Sequence, residues 1–232
     1  MSMKQKLINF FFPKYCLNCQ KLNSWLCNDC LKKIKLSKTT CFLCGKNNKF
    51  GEICSICLYY QGEKGKEWYI NNLIWTALYR QKICKSLITS LKYGGVIEIA
   101  DILAKLLNEK IKDTYNLKDA EIFYIPSSSR QKKLRDFNQA QLIAKKLVKK
   151  NSNFNLNNNL ILKKFKQKQT SKNIKKRWHN PNQFIYQGKS LQNKNIIIVD
   201  DIVTSGATLN QVAKCLKPYT NKKIRGAVIF KS

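Results

Sequence analysis

Acidic residues are scarce in this chain: 13 Asp plus Glu stand against 44 Lys plus Arg in 232 residues, a formal net charge of +31. Histidine is rarer still, with His179 alone. One histidine leaves no obvious general base, and its simplest place is a loop. Four prolines and nine glycines beside 44% hydrophobic residues exclude a disordered chain. Long apolar runs are missing too, none approaching the ~20 residues that cross a bilayer. The N-terminal run LINFFFP (7–13) is short, lacks a small-residue cleavage site and is soon followed by Cys16. It reads as an amphipathic segment docking on the body of the protein rather than as a signal peptide, so a cytoplasmic address is expected. No G-K-[ST] follows a glycine-rich loop and no G-x-G-x-x-G occurs, which removes two common nucleotide cradles.

What remains is long enough for one α/β domain plus a small appendage. A chain of this size buries roughly 70% of its unfolded surface without covalent help. The positive balance has two readings. One is an anionic partner such as a nucleic acid or a phosphorylated substrate. The other is composition: lysine, asparagine and isoleucine are heavily used, and six of the ten residues from Asn151 to Leu160 are asparagine, as an AT-rich genome produces. Both stay open.

Eight of the ten cysteines fall into four C-x-x-C pairs within 42 residues: Cys16/Cys19, Cys27/Cys30, Cys41/Cys44 and Cys54/Cys57. Each pair sets two thiolates on one side of a tight turn, as a tetrahedral metal with Zn–S bonds of about 2.3 Å requires. Two pairs complete a shell, so eight cysteines hold two structural zinc ions with no open position for chemistry. Disulfides would need an oxidising compartment to which nothing here gives a route. Sequential pairing gives a double zinc ribbon and is expected, because the seven residues between Cys19 and Cys27 make a short hairpin. Interleaved pairing, a cross-brace, is the alternative. Gly45 suits the left-handed position such a turn needs. Cys84 and Cys215 sit alone in apolar segments and read as core residues.

Beyond residue 70 strand and helix periods alternate. Strands are predicted at Leu73–Tyr79, Glu121–Pro126, Leu160–Phe165, Asn195–Val199 and Arg225–Phe230. Helical faces run through Val96, Ile99, Leu103 and Leu107, through Ala140, Ile143, Ala144 and Leu147, and along Ala207–Lys217. The asparagine-rich stretch 151–159 is expected to be a loop. This alternation predicts an α/β domain with a mostly parallel central sheet flanked by helices, spanning 63–232 after a ribbon module at 1–62. Ile196–Val199 is apolar without alternation, as in a central parallel strand buried on both faces.

That strand ends in Asp200-Asp201, and T-S-G-A-T (Thr204–Thr208) leads from it into a helix. Ligands of open α/β sheets sit beyond the carboxyl ends of strands. A turn that aims backbone N–H groups and hydroxyls into the positive end of a helix suits a phosphate monoester. Carboxylates beside it suit vicinal hydroxyls or a divalent cation, and a phosphorylated ribose offers both. A single aspartate would be a helix cap; two adjacent ones ahead of T-S-G-x-T ask for more.

The thirteen residues Ile196–Thr208 resemble the phosphoribosyl pyrophosphate (PRPP) motif of type I phosphoribosyltransferases. The resemblance implies that Asp200 and Asp201, the candidate catalytic pair, contact the ribose 2′- and 3′-hydroxyls. It assigns Ile202, Val203, Thr204, Ser205, Gly206, Ala207 and Thr208 to PRPP binding, with Mg²⁺ bridging ribose and pyrophosphate oxygens. LKYGG (Leu91–Gly95), PSSSRQKKLRDFNQA (Pro126–Ala140) and QTSKNIKKRWHN (Gln169–Asn180) look like three signatures of the ComF/GntX family of competence-associated proteins. The cysteine ribbons are similar as well. The family's phosphoribosyltransferase-like fold is tied to uptake of single-stranded DNA beside a helicase-like partner. By the same resemblance Ser127, Ser128, Ser129, Arg135, Asn138, Gln139 and Arg177 are candidates for pyrophosphate or substrate contact. Two departures stand out: Asp136 replaces the family's usual glycine before Phe-Asn-Gln, and Ser127–Ser129 replace Leu-His-Pro after Pro126.

Three readings follow. The first transfers phosphoribose from PRPP to an acceptor, the second binds nucleic acid or a 5′-phosphorylated nucleotide without catalysis, and the third salvages a nucleobase. Basic residues interleaved with aromatics, as in Lys163–Lys166 and Lys176-Arg177-Trp178, suit the second. The third ranks last, because cysteine ribbons stand where a base-binding hood would be.

Overall fold

Each cysteine shell is closed by one turn and one helix. The turns at Cys16–Cys19 and Cys41–Cys44 return the chain through Gln20 N–H to Cys16 C=O and Gly45 N–H to Cys41 C=O, both 2.9 Å. Gln20 and Gly45 hold the same place after the second cysteine, with φ of 63° and 76°. The second pair of each shell opens a helix: α1 (Asn28–Lys32) follows Cys27 and α2 (Ser55–Glu63) follows Cys54. Three-residue spacing then turns both sulfurs to one side. The computed structural model describes residues 13–115, 117–127, 136–163 and 184–232. The N-terminal run expected to dock on the body therefore lies, but for Pro13, outside the described residues.

After Glu63 the described elements run β1 (Asn72–Leu78), α3 (Lys82–Lys92), α4 (Ile99–Tyr115), β2 (Ala120–Tyr124), α5 (Gln139–Lys150) and β3 (Phe154–Leu156). They continue with β4 (Leu160–Leu162), β5 (Phe184–Tyr186), β6 (Ile196–Val203), α6 (Ala207–Leu216) and β7 (Ile224–Lys231). Five strands form one sheet in the order β1-β7-β6-β2-β3, every pairing parallel.

β6 lies between β2 and β7 and is covered on both faces. Ile197 and Val199 join Leu87, Leu91, Leu103, Leu107, Ile143 and Leu147 of α3, α4 and α5 on one side. Ile196 and Ile198 join Leu209, Val212 and Leu216 of α6 on the other. All four strand residues have no exposed surface, which accounts for the unbroken apolar run. Each contributes about 1.5–3 kcal/mol of burial, and this anchors the strand end that carries the aspartates.

Two expectations change. The asparagine-rich stretch is not wholly a loop: β3 pairs Phe154, Asn155 and Leu156 with Ala120, Glu121 and Ile122. Buried Phe154 holds this edge strand in place, and at an edge the asparagines need only one hydrogen-bonded flank. The strand at Leu160 runs to Leu162, the expected residues 164–165 lying outside the described residues, and it stands outside the central sheet, forming an antiparallel pair with β5 over the α6 side.

The ribbons do not stand apart. Antiparallel bridges Leu36↔Ala77 and Glu52↔Asn72 lay them along the outer side of β1. Lys110 of α4 donates to Ser37 C=O (2.8 Å) and to Thr39 Oγ1 (3.0 Å).

Candidate functional site

The four sulfurs of Cys16, Cys19, Cys27 and Cys30 lie within 4.8 Å of one another, as do those of Cys41, Cys44, Cys54 and Cys57. Pairing is therefore sequential. Sγ–Sγ distances of 3.6 Å (Cys19–Cys27) and 3.8 Å (Cys44–Cys54) exclude disulfides. They match the edge of about 3.8 Å in a tetrahedron of ~2.3 Å Zn–S bonds. Asn18 Nδ2 donates to Cys30 Sγ at 3.2 Å and Cys27 N–H to Cys16 Sγ at 3.5 Å, contacts that favour thiolates. Cys84 is fully buried on the inner face of α3, in keeping with a core role.

At the carboxyl end of β6, Asp200 Oδ1 accepts from Asp201 N–H and Asp201 Oδ1 accepts from Ile202 N–H, both at 2.8 Å. Burial, and then the neighbouring charge of Asp201, hold the Asp200 carboxyl well above the usual carboxylate range. Asp201 Oδ2 faces Lys92 Nζ at 2.5 Å, their side chains only 12% and 17% exposed. The ammonium meets that oxygen as a charge, without an aligned hydrogen bond.

Ile202 and Val203 complete the strand. Thr204 and Ser205 are exposed, and Gly206 turns the chain into α6 with φ 74°. Ala207 N–H donates to Ser205 Oγ at 3.4 Å, and Thr208 is exposed in the first helical turn. That turn carries no acidic residue, so its dipole faces the loop unneutralised. Hydroxyls, backbone N–H groups and a helix N-terminus thus share the strand end with two carboxylates.

Gly206 is also a point of close approach. A Cβ there would lie 3.0 Å from the Trp68 ring and 3.1 Å from the Phe42 ring. Phe42 belongs to the turn between Cys41 and Cys44. Its carbonyl accepts from Lys231 Nζ at 3.0 Å, and the same ammonium lies 4.6 Å from the Trp75 ring centroid. Asn210 of α6 fastens the linker between α2 and β1: its Oδ1 accepts from Tyr69 N–H at 2.6 Å and its Nδ2 donates to Glu67 C=O at 2.7 Å. The second shell and the linker therefore wall the loop.

Of the pyrophosphate candidates, Ser127 follows β2 and is partly buried. Asn138 caps α5, its Oδ1 accepting from Gln141 N–H (3.2 Å) while its Nδ2 donates to Ile125 C=O (2.8 Å). Gln139 is the buried first residue of that helix. Asp136 has φ 56°, a conformation that glycine adopts freely and aspartate tolerates. The family's usual glycine at this place has that reason. Ser128, Ser129, Arg135, Arg177 and His179 lie outside the described residues.

Sequence reasoning missed Lys92, Phe42 and Trp68. Lys92 stands inside LKYGG, so its signature was in view without a role. Nothing in the spacing of Phe42 or Trp68 pairs them with Gly206. A cleft of about 720 Å³ lies beside the ribbons, lined by Lys35, Lys38 and Arg80 with Trp75. No described helix is long and apolar enough to cross a membrane.

Residues 7–58 match a double zinc ribbon domain and residues 87–232 a phosphoribosyl transferase domain. The chain is similar to competence protein ComFC of Bacillus subtilis, 26% identical over 196 residues, covering 82% of this chain and 77% of the relative. It is also similar to competence protein F of Haemophilus influenzae, 28% identical over 229 residues, covering 93% and 96%. Four-cysteine shells, an all-parallel sheet and these matches agree: the chain belongs to the phosphoribosyl transferase domain family, as a ComF-type member carrying two four-cysteine zinc sites.

Proposed function

We propose that this chain binds PRPP with Mg²⁺ through Ile196–Thr208 and acts in DNA uptake during natural transformation. The observation that carries the reading is the meeting, at one strand end, of Asp200 and Asp201 with the hydroxyl-lined turn into α6. The carboxylates accept hydrogen bonds from the ribose 2′- and 3′-hydroxyls. Thr204, Ser205 and Thr208, with the backbone N–H groups around Gly206, take the 5′-phosphate. Hard oxygen donors suit Mg²⁺, which when bound neutralises the pyrophosphate. Two relatives named as competence proteins support the biological setting. Single-stranded DNA and a helicase-like protein are the partners this reading implies. PRPP with Mg²⁺ is expected to raise the melting temperature, and Asp200→Asn with Asp201→Asn to abolish the rise. An unshifted wild type overturns the reading.

A second reading, a non-catalytic nucleic-acid-binding module, draws on the cleft of Lys35, Lys38 and Arg80. Its test is salt: affinity for single-stranded DNA must fall steeply as salt rises if several phosphates are neutralised. A flat response leaves the +31 as composition.

A further inference from the structure

Lys92 reaches the aspartates from a different layer of the fold. It ends α3, one turn after Ile88 on the flank of the face that buries Cys84, Leu87, Ile88 and Leu91. The helix stops there because Gly94 N–H and Val96 N–H both return to Ser90 C=O, at 3.1 and 3.2 Å. A Cβ on Gly94 would lie 2.9 Å from that carbonyl, and Gly95 has φ 65°. The two glycines thus close α3 directly after the lysine and leave its ammonium 2.5 Å from Asp201 Oδ2.

Stability alone does not explain the pair. An exposed pair contributes little. A desolvated one is often no better than apolar residues of equal volume. With side chains 17% and 12% exposed, this pair lies close to the second case. What the ammonium does locally is specific: Asp201 is held at Oδ1 by Ile202 N–H and at Oδ2 by Lys92, while Asp200 is held at Oδ1 by Asp201 N–H.

We propose that Lys92 is a positioning residue for the sugar site: its ammonium fixes Asp201 and offsets its charge, so that two adjacent carboxylates can face one ribose diol. This rests on the phosphoribose reading above and deepens it, making the aspartates unequal. Asp201 is set in place by the protein, and Asp200 has the greater freedom to follow the ligand.

The test measures binding of ribose 5-phosphate by calorimetry. It compares wild type, Lys92→Met, Lys92→Gln, Lys92→Arg, Asp201→Asn and the Lys92→Met/Asp201→Asn double variant, with a melting temperature for each. Lys92→Met and Lys92→Gln are expected to weaken binding by at least about tenfold, in the range for directly contacting groups. Lys92→Arg, which keeps the charge, should recover most of it. In the Asp201→Asn background the loss of Lys92 should cost much less than in the wild type, its charge then acting only on Asp200. Wild-type affinity in a folded Lys92→Gln or Lys92→Met, or fully additive losses in the double variant, overturns the assignment. Lower melting temperature with unchanged affinity marks a merely structural pair and overturns it too. A wild type that binds neither ribose 5-phosphate nor PRPP removes the sugar site itself, and the assignment with it.

Discussion

The Trp68 ring lies 3.0 Å from the place a Cβ would take on Gly206. The linker after the cysteine ribbons thus touches the loop that turns β6 into α6 at its tightest residue. Gly206→Ala meets two obstacles, a φ of 74° and the Trp68 and Phe42 rings. It should cost about 1–3 kcal/mol of stability, and chemical denaturation will read the loss. Trp68→Ala placed beside it relieves only the steric part, so partial recovery separates crowding from backbone strain.

Because Phe42 sits between Cys41 and Cys44, metal at the second shell and an anion in the loop are expected to help each other. Chelating zinc should weaken ribose 5-phosphate binding. By linkage, ribose 5-phosphate should raise the zinc affinity by the same factor. Equilibrium competition with a coloured chelator, with and without the sugar phosphate, checks this. Metal analysis of the intact chain should return two zinc ions.

Asp200 gives a pH dependence whose sign follows from its surroundings. Its carboxyl is raised by burial and by Asp201, so between the ordinary carboxylate range and its raised folded value the native state binds more protons than the unfolded one. Stability therefore falls as pH rises through that window. Asp200→Asn removes this slope and is expected to raise the melting temperature of the unliganded protein at neutral pH, even as it abolishes PRPP binding. Melting temperatures across pH, wild type against variant, decide it.

Asp136 holds a left-handed backbone with φ 56° just before the capped start of α5. Asp136→Gly removes the steric cost of that conformation but loosens the unfolded chain. The expected result is a change within about 1 kcal/mol, whereas Asp136→Val, branched at Cβ, should destabilise clearly. Denaturation midpoints of the two variants provide the comparison.

Much of the architecture was legible because local pattern and burial coincide. Ile196–Val199 is apolar because β2 and β7 flank it and helices cover both its faces, and the C-x-x-C pairs close sequentially because the seven and nine residues between them suffice for a hairpin. β3 was illegible for the opposite reason: one buried phenylalanine among asparagines carries no period, and its pairing with β2 is decided by tertiary contact. At the site, Asp200, Asp201 and Thr204–Thr208 are contiguous and could be read as one feature. Lys92 lies more than a hundred positions from Asp201 in the chain and meets it only when α3 packs on the sheet. Asn138 shows how a signature residue can serve geometry first, with both ends of its amide engaged by the backbone.

The bridges that lay the ribbons along β1 bear on how the molecule behaves among its own copies. A parallel sheet has two open margins, each a template on which another chain can add a strand. At one margin β3 offers only three residues. At the other, β1 is seven residues long and apolar; Leu73 N–H is satisfied by Gly51 C=O at 2.8 Å, and Thr76 C=O by Ser37 N–H at 2.8 Å. The metal-clasped ribbons are thus an edge guard. Stripping their zinc would bare a greasy, hydrogen-bond-hungry margin and invite self-association.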